Sequence, residues 1–241
     1  MKKKIIENIK TLSIALILAL IIRSLLLQPF YIPSSSMEQT LLVGDRLFVT
    51  KYSYGYSRHS FPFSPKLLSE RIFYNKPERG DVIVFKTPAD NRTDYIKRLV
   101  GVPGDQVQFI NGDLFLNEKK IKKVFLRNDK VYCGQQKVDV KVYLEEIEEN
   151  RQYEIVYFAK DSMKNTDPYL IPKDHFFFLG DNRDCSKDSR FLTSVGYVKK
   201  ENLVGKARFI FFSNDTNIGN LFTFWKWGKS IRFERIMKKI L

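Results

Sequence analysis

The segment Leu12 to Leu27, LSIALILALIIRSLLL, constrains this chain before any other feature does. It holds sixteen residues with a single charge, Arg23, and follows Lys2, Lys3, Lys4 and Lys10. As a helix it would extend about 24 Å, short of the ~30 Å hydrocarbon core of a bilayer unless flanking residues complete the span. Arg23 would cost about 2.5–3.5 kcal/mol at the bilayer centre, but near the distal end its stem can reach the headgroups. A cleavable signal needs small residues just behind the apolar core, whereas here the core runs into Leu-Leu-Gln-Pro-Phe-Tyr. A retained anchor over 11–27 is therefore expected. Four lysines precede it, while Gln28 to Leu47 carries only Arg46. The positive-inside rule then leaves residues 1–10 in the cytoplasm and places the remainder on the outer side.

Beyond the anchor the chain is a succession of short runs rich in Val, Ile, Phe and Tyr. RLFVTKY, DVIVF, YIKRLV, QVQFI, VKVYL, YEIVYFA, HFFFLG and ARFIFFS are among them. Asn111-Gly112 between two alternating runs signals a hairpin. No later stretch sustains helical periodicity beyond about two turns, so a mainly β body, barrel-like or sandwich-like, is expected. Within it, 28–117 and 171–241 read as one β domain. The charge-rich 118–170 reads as a small inserted subdomain without visible chemistry. The loop from His59 to Leu68, HSFPFSPKLL, holds phenylalanines read as packing, with lipid contact as the other option. The C-terminal FTFWKWGKSIRFERIMKKIL suits either a membrane interface or a basic closing helix packed on the domain.

The chain carries 41 Lys and Arg against 27 Asp and Glu, a net charge of +14. Such an excess points to anionic partners, and membrane lipid fits better than nucleic acid, because the basic residues are spread without an arginine-rich block or finger spacing. His59 and His175 are the two histidines, and neither stands in a metal-ligand pattern, so no metal and no cofactor are expected. Cys133 and Cys185 are too few for a disulfide scaffold or a thiolate metal site; they could pair in an oxidising compartment, but their spacing gives no reason to expect it.

Two stretches have the composition of a site. In DYIKRLV, strand alternation places Tyr95, Lys97 and Leu99 on one face, with Ile96, Arg98 and Val100 on the other. If Tyr95 and Leu99 are buried, Lys97 is desolvated and loses affinity for its proton, which makes it a competent base for a serine hydroxyl. The bland alternative is a lysine that snorkels at a strand edge. The second stretch is GDNRDCSKDSR, Gly180 to Arg190, eleven polar residues directly behind HFFFL. They must satisfy their charges locally, through a hydrogen-bonded loop. A calcium loop starting at Asp184 fails, with Ser189 where glycine and Val195 where glutamate are needed. A histidine triad is the weaker route to an active serine, since neither histidine has an evident carboxylate orienter.

Taken in order, the anchor, PSSSM…TLLVGD, RGDVIVF, DYIKRLVGVPGD, GDNRDCSKDSR and LVGKARFIFF resemble the bacterial type I signal peptidases, membrane-anchored serine proteases with a Ser–Lys dyad. The likeness covers roughly 10–110 and 172–212. It implies a signal-peptidase-like β catalytic domain with an inserted β subdomain behind one transmembrane helix. It also implies secretory preproteins as substrates, cleavage after a small residue, a monomer, and residence in the cytoplasmic (inner) membrane. By the same resemblance Ser36 is the nucleophile, Lys97 the general base, and Ser34 joins the Ser36 N–H in the oxyanion hole. Ser186 would hold the lysine amine, Asp188 and Arg190 would brace the loop, and Asp181 would pair with Arg98. Phe85 and Phe178 would wall the lysine. Phe30, Ile32, Met37, Leu41, Asp94, Tyr95 and Ile96 would line two shallow substrate pockets. Ser35 and Cys185 depart from the family's usual glycine and asparagine. The enzymatic rival is a self-cleaving Ser–Lys protease related to the SOS repressors. The non-enzymatic one is a tethered basic β-domain that binds anionic lipid or polymer.

Overall fold

The run of Leu, Ile and Ala after the N-terminal lysines loses little side-chain entropy in a helix, and α1 forms over Lys2–Ile21. A π-helical turn, Ile22–Leu26, completes it. The protein is described from a computed structural model that covers residues 2–65, 68–134, 136–159, 165–219 and 223–240. The stretch Lys3–Leu26 is long and apolar enough to cross a membrane by length and composition, and its apolar side chains are almost all exposed. The helix starts earlier than the apolar core because lysines are good helix formers and extend it outward. Its 24 residues would extend about 36 Å, which removes the shortfall.

Strands follow without a linker. The first sheet contains β1 (Leu27–Tyr31), β2 (Asp45–Thr50), β3 (Val82–Lys86) and β4 (Asp94–Gly101). β5 (Gln106–Ile110), β6 (Asp113–Leu116) and β7 (Lys119–Lys120) form a second sheet with β11 (Tyr169–Leu170). β8 (Lys122–Cys133), β9 (Gln136–Glu148) and β10 (Arg151–Phe158) make a three-stranded antiparallel sheet from the charge-rich segment. β12 (His175–Leu179), β13 (Val198–Lys199) and β14 (Leu203–Ser213) return to the first sheet, whose order is β1-β2-β14-β3-β4-β12-β13. The chain is mainly β, as its sequence implies. Asn111 and Gly112 both take positive φ, 52° and 79°, and turn β5 into β6.

Phe176 to Leu179 are all buried because both faces of β12 are covered. Phe176 and Phe178 join Ile83, Phe85 and Leu99 on one side, while Phe177 and Leu179 join Val107, Phe109 and Ile155 on the other. The three-stranded sheet contributes Ile147, Tyr153, Ile155 and Tyr157 to that second core. It therefore packs into the body and does not hang from it.

Two expectations are corrected. No long closing helix forms among the described residues of the C-terminus, where α2 is only Trp227–Ser230. The segment instead runs back along β14, with Ile240 N–H donating to Arg208 O at 2.9 Å and Arg235 paired to the buried Asp45 at 2.6 Å. Trp225 and Trp227 stay exposed. In the Phe/Pro loop Phe63 is fully exposed, so it is not a packing residue. Residues 66–67, 222 and 241 of these two segments lie outside the described residues.

Candidate active site

β4 places Lys97 where alternation puts it. Tyr95 and Leu99 face the core containing Phe85 and Phe178, whose rings stack at 4.5 Å, and Lys97 on the same face is 3% exposed. Its Nζ lies 2.6 Å from Ser36 Oγ, donates to Ile96 O at 2.9 Å and stands 5.4 Å from the centre of the Tyr95 ring. Burial lowers the ammonium pKa from 10.5 to about 8, against the partial opposition of Asp188 and Asp181. Ser36 itself is buried, on the turn that follows β1, and Ser34 Oγ is 3.4 Å from Ser36 Oγ.

The loop from Gly180 to Arg190 holds this turn from behind. Asn182 N–H donates to Ser36 O and Asn182 Nδ2 to Ser35 O, both at 3.2 Å. The carbonyls on either side of the Ser36 N–H are thereby fixed, and the N–H of a trans peptide points away from its carbonyl. Arg98 grips Asp181 bidentately, at 2.8 and 2.7 Å, and also donates to Gly80 O at 2.7 Å. Thr40 Oγ1 donates to the same Asp181 carboxylate, which ties the serine turn to β4. Arg190 grips Asp188 in the same way, at 2.8 Å twice, and Gly180 N–H donates to Asp188 at 3.0 Å. Burial raises the Asp188 carboxyl, but the Arg190 guanidinium and these hydrogen bonds outweigh it and leave its pKa lowered.

A cleft of about 580 Å³ opens over Ser36 and Lys97. Phe30, Ile32, Ser34, Asp94, Tyr95 and Ile96 line it, and so do Cys185 and Lys187. Met37 and Leu41 do not. Both are fully buried in the core beneath, packed with Leu47 and Val49, because the turn after Ser36 aims them inward. Ser186 does not hold the lysine amine either. Its hydroxyl faces the Asp188 carboxylate closely enough to help hold it low, yet not in the geometry of a proper hydrogen bond. The histidines lie elsewhere: His59 Nδ1 meets Ser64 Oγ at 2.9 Å, and His175 Nδ1 meets Lys173 O at 2.8 Å.

The model of the signal peptidase family, peptidase S26, matches residues 5–212. The signal peptidase I of Rickettsia typhi is 39% identical, over 99% of this chain and 95% of that protein. That of Rickettsia bellii is 40% identical, over 96% of this chain and 84% of the relative. The chain belongs to the signal peptidase family. It is accordingly a serine endopeptidase, a hydrolase. The crystal structure of a signal peptidase I from Enterococcus faecalis is 25% identical with a TM-score of 0.35, over 55% of this chain and 97% of that one.

Three contributors to the site of this signal peptidase family member escape a reading of its sequence. Cys133, at the end of β8, forms a disulfide with Cys185 beside the cleft, across a sequence separation of 52. Glu145 of β9, fully buried, pairs with Arg183 of the site loop and accepts from Tyr153 OH at 2.9 Å. Asn182 fixes the serine turn. Asn182 was within view, as a buried-strand loop residue with an amide able to bind two backbone groups at once. For the other two no local signal exists.

Gly180 sits where any side chain would collide. A Cβ there would overlap the Ser36 carbonyl oxygen and the Ser186 hydroxyl. Gly180→Ala is expected to displace the serine turn and lower kcat by about 10²-fold. Gly228→Ala, with nothing near its Cβ, should leave kcat unchanged. Equal activity of Gly180→Ala and the parent protein would show that the turn tolerates the shift.

Proposed function

We propose that this chain is a membrane-anchored signal peptidase that removes N-terminal signal peptides from exported preproteins with Ser36 as nucleophile and Lys97 as general base. The observation that carries the reading is the 2.6 Å approach of a buried lysine amine, with its pKa lowered to about 8, to Ser36 Oγ at the floor of an open cleft. Neutral Lys97 takes the Ser36 proton as Oγ attacks the scissile carbonyl, then returns it to the leaving amine. The resulting acyl-enzyme is opened by water that Lys97 activates in turn. The Ser36 N–H and the Ser34 hydroxyl are the oxyanion donors, and removing one such donor typically costs about 2.7–4 kcal/mol. The cleft walls contributed by Phe30, Ile32 and Ile96 favour small side chains at the first and third residues before the cut.

Arg98–Asp181 and Asp188–Arg190 are bracing pairs in this reading. Residues 28–117 and 171–241 form the catalytic domain, 118–170 its buttress, and 11–27 the core of a single transmembrane helix in the cytoplasmic membrane. The N-terminal lysines stay in the cytoplasm and the catalytic domain works alone on the outer side.

The test uses full-length detergent-solubilised protein and a secretory preprotein with small residues at the expected cut, followed by gel and N-terminal sequencing. Wild type should give one cut after the small residue, and Ser36→Ala none. Equal cutting by both would move the nucleophile to another serine.

A further inference from the structure

A second cavity, of about 450 Å³, opens where the membrane helix meets the sheet. Arg23, Lys51, Lys86, Arg92, Asp94 and Phe63 are among its lining residues. Its height relative to a bilayer follows from two hydrogen bonds. Lys51 N–H donates to Leu26 O and Tyr56 OH to Leu25 O, both at 3.0 Å, so Lys51 sits level with the last turn of the apolar helix.

The charges lining this cavity are unbalanced. Lys86 is neutralised by Asp94 at 2.9 Å. Arg23, Lys51 and Arg92 have no carboxylate within ion-pair distance among the described residues. Lys51 is 3% exposed, yet its Nζ meets only carbonyl oxygens, Ser60 O at 2.7 Å and His59 O at 3.5 Å. Burial and then the Arg23 guanidinium push its pKa down to about 8. An anion placed among these three cations would supply the missing partner. On the rim, Phe63 is completely exposed and takes a left-handed φ of 61°, a costly conformation for a bulky residue.

We infer that this cavity holds the phosphodiester of a membrane phospholipid, between Arg23, Lys51 and Arg92, with Phe63 against its acyl chains. A guanidinium matches two phosphate oxygens in plane, and the cavity has the size of a small-ligand site. Three cations without a carboxylate in ion-pair contact, weakly offset by Asp94 and Asp90, select a headgroup without an ammonium of its own, of the phosphatidylglycerol kind. The exposed aromatic ring at the end of a bilayer-length helix favours an amphiphile over a free anion. Asp94 also lines the cleft over Ser36, so the lipid would lie directly beside the substrate.

The test takes full-length protein from phosphatidylcholine nanodiscs doped with phosphatidylglycerol and records retained lipid by native mass spectrometry. Wild type should keep phosphatidylglycerol in preference to phosphatidylcholine. Arg92→Gln and Lys51→Gln should each weaken retention about tenfold, a loss of 1.4 kcal/mol. Arg92 is exposed, so its variant separates lost binding from lost folding. Excess inorganic phosphate should leave the lipid in place. Equal retention of both lipids, or undiminished phosphatidylglycerol on Arg92→Gln, would overturn the assignment. Displacement by inorganic phosphate would also overturn it, in favour of a free-anion site.

Discussion

Lys97→Ala is expected to lower kcat for preprotein cleavage by about 10²–10⁴-fold while the protein stays folded. The reason is the position of its amine, 2.6 Å from Ser36 Oγ and desolvated. With a pKa of about 8, roughly a tenth of the lysine is neutral at pH 7, so kcat/KM should rise close to tenfold per pH unit below 8 and level off above it. Stability carries the same signature. The unfolded lysine holds its proton to about 10.4 and the folded one releases it near 8. Between these values the unfolded state binds more protons, so wild-type stability rises with pH across that window. Below 8 the burial penalty is fully present. Lys97→Met should therefore melt no lower than wild type at pH 7, while losing activity. Glu38, two residues past Ser36, is a competing titration, since burial raises its carboxyl to about 7 despite Arg232 and Arg235. A Glu38→Gln profile with an unmoved midpoint assigns the titration to Lys97. A flat profile from pH 5 to 9, or an active Lys97→Ala, would remove lysine as the base.

The second large effect lies outside the cleft. Glu145→Ala should destabilise the protein by about 3–5 kcal/mol, because it leaves Arg183 buried without a counter-charge. The ion pair itself is not the source of that stability. Arg183→Met combined with Glu145→Leu is therefore expected to recover most of the loss, as apolar replacements of buried pairs often do. Thermal melts of the three variants in detergent decide it. A loss below about 1 kcal/mol for Glu145→Ala would mean that water reaches Arg183 and that the pair is a surface one in effect. Since Arg183 N–H donates to Val156 O and Val156 N–H to Asp181 O, the single variant should also loosen the loop that pins Ser36.

What could be read from the sequence was whatever depends on neighbours along the chain. The two-residue period of β4 exposes the opposed facing of Lys97 and Arg98, and the aromatic runs around Phe85 and Phe178 announce a dry wall. The turn chemistry of Asn111-Gly112 is equally local. Cys133 and Glu145 are different, because each meets its partner only after a three-stranded sheet has folded onto the loop. Their own surroundings, charged strands in a segment without apparent chemistry, carry no trace of this. Met37 and Leu41 lie in the core rather than in the cleft for a related reason. Sequence shows that they follow the serine, but whether a tight turn aims them outward or inward is set by the core beneath.

The junction at Leu26 and Leu27 also defines a length. Helix passes into strand without a flexible residue between them, and hydrogen bonds from Lys51 and Tyr56 clamp the joint. β1 then rises for five residues, about 17 Å, before the turn that bears Ser36. On the reading that α1 crosses the bilayer and Ser36 is the nucleophile, the attacking hydroxyl cannot be raised or lowered on a tether. The enzyme would work as a caliper, reaching only those peptide bonds that a substrate's own apolar segment delivers to the same altitude. A bond with ideal small flanking residues but displaced by a few residues along its chain would pass uncut.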